Sequence, residues 1–247
     1  AWADGLYHLS YGMVDLPTGK MKSREGTVVD AEDLIAEVIA DAGKATEELG
    51  KLDEFTTEEK TELFRMIGLA ALKYFLLKVD PKKRMLFDPA ASIDLQGHTG
   101  PFIQYTYARI KSLLRKGQLS VGGSHWAGLD AMANAQLTTG NYELLPEERN
   151  VIKLLHQLPA VLNEAAVKLD PSSLANHTYE LVKTYNGFYQ SVPVLKEEDP
   201  AKRDFRLSLS AAVGYSVKKA MWCLGIEMPE RMVTVAQALP AQRFIRK

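Results

Sequence analysis

At 247 residues, 46% of them hydrophobic and 25% charged, the chain has material for one large domain or two modest ones, each with its own core. Its 30 Lys and Arg against 31 Asp and Glu leave a formal net charge of −1, which excludes a global electrostatic pull toward nucleic acid or membrane. Any RNA contact therefore has to come from a local basic face. The single cysteine, Cys223, excludes a disulfide framework and a thiolate metal site; it reads as a small core residue, and the reducing cytosol is the expected compartment.

The chain opens Ala1-Trp2-Ala3-Asp4 with no starting Met and no signal-peptide pattern, so the expectation is a cut inside a longer protein. Leu16-Pro17-Thr18-Gly19 is turn chemistry, followed by the dense basic run Lys20-Met21-Lys22-Ser23-Arg24-Glu25-Gly26 and a short extended piece, Thr27-Val28-Val29. Asp30 predicts a helix N-cap, with Leu34, Ile35, Val38 and Ile39 at helical spacing up to about Leu49. Thr56 and Glu59 form a capping-box signature for a second, largely apolar helix that ends before Asp80-Pro81. Residues 66–77, the longest apolar stretch, are interrupted by Lys73 and too short to span a bilayer.

Residues 81–98, with two prolines and Gly97, form the expected connector between a first unit, 1–80, and a second, 99–232. Thr99-Gly100-Pro101 opens the next helix, with proline in its first turn, and Gly117 closes it. Residues 117–144 read as a loop with short helical pieces. Pro146 starts a helix to about Leu158, with a separate stretch from Ala160 to Lys168. Asp170-Pro171 starts a long helix ending near Tyr189, and Asp199-Pro200 a last one ending near Leu224, capped by Gly225. The fold class is mainly α, a helix bundle.

At about 100° per residue, Ile103, Tyr107, Ile110 and Leu114 share one face of the helix after Gly100, while Tyr105, Arg109, Ser112 and Lys116 share the opposite one. The first group is a core stripe. The second places a ring one turn from a guanidinium, with Lys111 and Arg115 nearby. Single-stranded RNA needs that pair: a face on which to stack a base and a cation for the adjacent phosphate. Periodicity alone favours a solvated face that happens to carry a tyrosine.

The string Gly97-His98-Thr99-Gly100-Pro101-Phe102-Ile103-Gln104-Tyr105-Thr106-Tyr107-Ala108-Arg109-Ile110 resembles the opening of the DALR-type anticodon-binding domain of arginyl-tRNA synthetases. Tyr179-Glu180-Leu181 with Tyr185-Asn186-Gly187-Phe188-Tyr189 resembles that domain's central helix. Arg206-Leu207-Ser208-Leu209 and then Leu224-Gly225-Ile226-Glu227-Met228-Pro229-Glu230-Arg231-Met232 resemble its final helix and end. Upstream, residues 20–26 sit where the family has its class I signature loop, commonly written KMSKS, with Ser and Lys in reverse order after Met21. Leu69-Ala70-Ala71-Leu72-Lys73-Tyr74-Phe75 matches the helix that follows. The resemblance covers residues 1–232. Residues 233–247 form a C-terminal extension beyond the family's usual end.

The resemblance implies an architecture and a set of roles. Residues 1–80 would be a small, mostly helical remnant of a Rossmann-type catalytic domain, and 99–232 the anticodon-binding bundle. In the whole ligase, Lys20, Met21, Lys22, Ser23 and Arg24 would close over ATP, with magnesium, as arginine is activated. Tyr105, Arg109, Tyr185, Tyr189 and Met232 would contact the anticodon, although periodicity alone reads Tyr185 and Tyr189 as core. The family's His-x-Gly-His motif does not occur in these residues, so this chain alone is expected to form no aminoacyl-adenylate and to bind no cofactor. His8, His98, His125, His156 and His177 fit no zinc spacing and no metal is expected, but His98 could approach RNA. The implied partner is an arginine-accepting tRNA, with no DNA and no membrane, and the protein would be a cytoplasmic monomer. The rival readings are a helical protein-interaction module and the same domain from another class I synthetase, such as the cysteine enzyme.

Overall fold

The computed structural model describes residues 2, 5–17, 30–49, 52–117 and 143–232. Seven helices dominate them: α1 (Ala31–Leu49), α2 (Thr57–Leu77), α3 (Pro89–Ser92), α4 (Gly100–Lys116), α5 (Pro146–Lys168), α6 (Pro171–Ser191) and α7 (Pro200–Cys223). Two short strands, β1 (Val14–Asp15) and β2 (Met85–Leu86), pair in parallel with Val14 opposite Met85. Arg84 forks the Asp15 carboxylate across this pair. Strands of two residues carry no alternation that a sequence could display. No helix among the described residues is long and apolar enough to cross a membrane.

The helix starts follow their caps. Thr56 Oγ1 accepts from the Glu59 amide while the Glu59 carboxylate takes the Thr56 amide, which completes the expected capping box of α2. Thr99, Asp170 and Asp199 each cap a helix with Pro in its first turn. At the end of α7, Gly225 takes φ +69° and the Ile226 amide reaches back 2.9 Å to the Met221 carbonyl, a Schellman arrangement that seals both side chains in the core. This last turn also corrects one expectation. Cys223 is exposed rather than a core residue, because the helix turns Met221 and Leu224 inward instead.

Pro159 corrects another. The break expected between Leu158 and Ala160 is absent, and α5 runs unbroken through the proline. An interior proline costs about 3 kcal/mol or more. The long seam of α5 against α6 offsets it, and the His177 ring donates from α6 to the Leu154 carbonyl at 3.0 Å, just over one turn before the proline.

Two cores share α2. Leu63, Ile67 and Ala71 pack with Leu16, Val38, Ala42, Phe87 and Ile93 in a smaller core. Ala70 and Tyr74, on the other side of α2, join Ile103, Tyr107, Ile110, Leu181, Tyr185 and Val213 in the bundle core. The start of α4 lies so close to α2 that a Cβ on Gly100 would sit 2.3 Å from the Ala70 carbonyl oxygen, which accounts for glycine beside Pro101. The bundle is tied internally by Arg206, which meets the fully buried Glu148 at 2.8 Å, the Pro193 carbonyl at 2.7 Å and the Glu197 carboxylate. A buried arginine held by two carboxylates locks α5, α7 and the intervening turn; removing one partner would leave an uncompensated charge.

Candidate nucleic-acid interface

The wheel of α4 is realised in three dimensions. Ile103 and Ile110 are fully buried, and Tyr107 and Leu114 nearly so, while Tyr105, Arg109 and Ser112 are half-buried and Lys116 is exposed. Alongside lies the C-terminal half of α6. The Arg109 guanidinium sits 4.8 Å from the Tyr105 ring centre and 5.6 Å from that of Tyr189, a cation between two π faces from two helices. Its Nη1 donates to the Asn186 carbonyl oxygen at 3.1 Å, and the Asn186 amide donates to Thr106 Oγ1 at 2.9 Å. Among the described residues Arg109 has no acidic partner, so its charge is not internally neutralised.

Tyr185 departs from its expected place. Its ring is fully buried and it stacks 6.2 Å beneath Tyr189 at 30°. Burial pushes its phenol well above the ordinary range, so it stays neutral. A base cannot stack on a ring with no exposed face, and Tyr185 acts as the floor on which Tyr189 rests. The two tyrosines lie four residues apart, but Tyr189, in the last turn of α6, is only half-buried. Met232 is half-buried against the smaller core, beside which Arg231 pairs with Glu59 at 3.0 Å and lies 5.1 Å over the Phe55 ring. Lys20, Met21, Lys22, Ser23 and Arg24 lie outside the described residues, as do 118–142 and the extension 233–247.

His98 is placed away from any role as a free cation. Tyr74 gives its hydroxyl proton to the Ala175 carbonyl at 2.9 Å, so the 2.9 Å contact from His98 Nε2 to that hydroxyl has the imidazole donating. The ring stacks on Tyr179 with centres 3.9 Å apart. Burial, then the neighbouring Lys78 ammonium, lowers its pKa, and it serves as a neutral link between α2 and α6.

The opposite flank of α4 holds a charged cluster that the sequence did not reveal. Glu230 takes Lys111 at 2.8 Å, Lys218 at 2.9 Å and the Tyr107 hydroxyl at 2.8 Å. Burial alone would raise its carboxyl, but these three donors outweigh that and hold it down at about 2. The same segment is pinned to α2 by Arg65 on Glu227 at 2.9 Å and to both α2 and α4 through Gln104, whose amide bridges the Met66 and Glu227 carbonyls. Among the described residues no group of three His, Cys, Asp or Glu could hold a metal ion.

Residues 103–232 match the family described as the DALR anticodon binding domain. The chain is 52% identical over 232 residues to an arginine–tRNA ligase of Flavobacterium psychrophilum, a match covering 94% of this chain and 36% of that protein. An arginine–tRNA ligase of Phocaeicola vulgatus is 51% identical over 231 residues, with the same coverage. The chain thus spans about a third of the length of the curated relatives it matches. Among solved structures, Thermus thermophilus arginyl-tRNA synthetase superposes with a TM-score of 0.77 at 27% identity, over 93% of this chain and 36% of that one. Arginyl-tRNA synthetase from Plasmodium falciparum gives 0.69 at 21% identity, over 91% and 35%, a likeness of fold.

Proposed function

Since the chain belongs to the DALR anticodon-binding domain family, we propose that its ring–guanidinium surface on α4 and α6 holds the unpaired nucleotides of a tRNA anticodon loop. We read the chain as the C-terminal part of an arginine–tRNA ligase, the whole of which would attach arginine to its tRNA at the expense of ATP with magnesium. The observation that carries the reading is Arg109: an un-neutralised cation held between Tyr105 and Tyr189. A base stacks on a tyrosine face, and the guanidinium meets the phosphate or base edge beside it. Tyr105, Arg109 and Tyr189 are the proposed contacts, and Tyr185 supports them from below. Met232 remains a proposed contact on the strength of the family resemblance. The basic run 20–24 is proposed to serve ATP in the whole enzyme, in the cytoplasm, and the chain is proposed to act as a monomer toward its tRNA.

The test is equilibrium binding of this chain to an RNA hairpin copying an arginine-accepting anticodon arm, over a salt series. Arg109→Ala is expected to weaken binding about tenfold and to reduce the salt slope by about one. Tyr105→Ala should cost at least about fivefold through lost stacking, with the slope unchanged. Wild-type affinity in both variants, or no hairpin binding by the parent chain, would refute the reading.

A further inference from the structure

The two rings fix where the Arg109 guanidinium lies, but not how it is turned. A cation over a π face is held by the ring's quadrupole, which is nearly indifferent to rotation of the planar fork in its own plane. A directional hydrogen bond removes that freedom, and among the described residues the guanidinium's hydrogen-bond partner is Asn186, at 3.1 Å. The Asn186 amide is itself oriented. Thr106, fully buried, donates its hydroxyl to the Phe102 carbonyl at 3.1 Å, so its oxygen accepts the Asn186 amide N–H at 2.9 Å. With the nitrogen committed to Thr106, the carbonyl oxygen must face Arg109. The relay leaves the main chain of α4 at Phe102, crosses from Thr106 to α6 and returns to α4 at Arg109, about two turns further on.

We infer that Asn186 is a positioning residue for Arg109. It sets the rotation of the guanidinium between Tyr105 and Tyr189, consuming one of five N–H groups and fixing the directions of the other four, which have no hydrogen-bond partner among the described residues. An arginine side chain otherwise loses much of its rotamer freedom at the moment of binding; this one has lost it beforehand. The inference rests on the RNA-binding reading for its purpose, and its geometry can be tested without RNA.

In the RNA-free chain, NMR of the Arg109 side chain should show distinct Nη proton signals that merge in Asn186→Ala. Signals unaffected by the substitution would overturn the inference, whatever the RNA does. With the hairpin as probe, Asn186→Ala should weaken binding about three- to tenfold. The salt slope should be unchanged, because the charge is still present. In an Arg109→Ala background the same substitution should have no further effect; an equal loss in both backgrounds would mean that Asn186 acts only in helix packing, and would overturn the inference. Asn186→Asp should keep the Nη signals distinct while cancelling the charge, lowering the slope by about one as Arg109→Ala does. Failure of the parent chain to bind the hairpin would sink the RNA reading alone, with the RNA-free signals still deciding the positioning role.

Discussion

Helix α4 carries cations on two flanks, and the flanks treat them in opposite ways. Toward the segment after α7, Lys111 is spent on the Glu230 carboxylate, which also collects Lys218 and the Tyr107 hydroxyl. Toward α6, Arg109 is given two rings and an amide, none of which carries charge. The first flank holds its cations on a carboxylate and joins elements of the fold; the second leaves its cation without an anionic partner among the described residues. A census of basic residues on α4 would treat Lys111 and Arg109 alike. What separates them is the partner, and a neutral polar partner orients a cation without discharging it.

The most severe way to break this comparison is to remove the floor of the open flank. Tyr185→Ala should cost about 3–5 kcal/mol of stability, the usual penalty for an aromatic ring lost from a sealed core. Tyr185→Phe should keep both the melting temperature, within a few degrees, and the hairpin affinity, because the ring rather than the hydroxyl supports Tyr189. A tenfold loss of affinity in Tyr185→Phe would instead restore Tyr185 as a direct contact.

A smaller effect tests the closed flank. The Glu230 carboxyl is held at about 2, below its unfolded value of about 4.3. A depressed folded pKa stabilises the protein above the unfolded value, and that contribution is lost as pH falls from about 4.3 through about 2. Glu230 is about half exposed, at 49%, so solvent screening reduces the contribution to about 1 kcal/mol between pH 7 and pH 3. Urea midpoints at the two pH values should therefore lie closer together in Glu230→Gln than in the parent. Equal spacing would show the cluster to be energetically idle.

How far the sequence foretold these flanks depends on the distance over which each signal acts. The core and outward stripes of α4 were legible because they are a 3.6-residue repeat within one element, and the caps at Thr56, Thr99, Asp170 and Asp199 because they act within three residues. Tyr185 and Tyr189 share one face by periodicity, and only the packing of neighbouring helices separates the buried ring from the half-buried one. Pro159 lies within a helix and Cys223 on the surface, against their single-residue preferences, because such preferences yield to the packing of whole helices. Asn186 stands 77 residues from Arg109 and Glu230 stands 123 from Tyr107, pairings set by topology that no local pattern announces. The neutral role of His98 likewise depends on Tyr74 and Tyr179, brought to it from α2 and α6.

The sharpest form of the comparison is the substitution with the least effect. Lys111→Ala removes a basic residue from α4, as Arg109→Ala does, and a surface that bound RNA by crude charge would respond equally to both. Lys111 is held on Glu230, away from any phosphate in this reading, so removing its ammonium should release no counterion from the RNA, and the salt slope should stay where it was. Affinity should change by less than about twofold. Stability should fall by no more than about 1 kcal/mol, since Glu230 retains Lys218 and the Tyr107 hydroxyl as donors. The decisive quantity is the difference in salt slope between the two variants, measured side by side on one hairpin. A drop of about one unit for Arg109→Ala and none for Lys111→Ala places the nucleotide on the α6 flank; equal drops would mean that the Glu230 cluster opens to the RNA and that the two flanks form one surface.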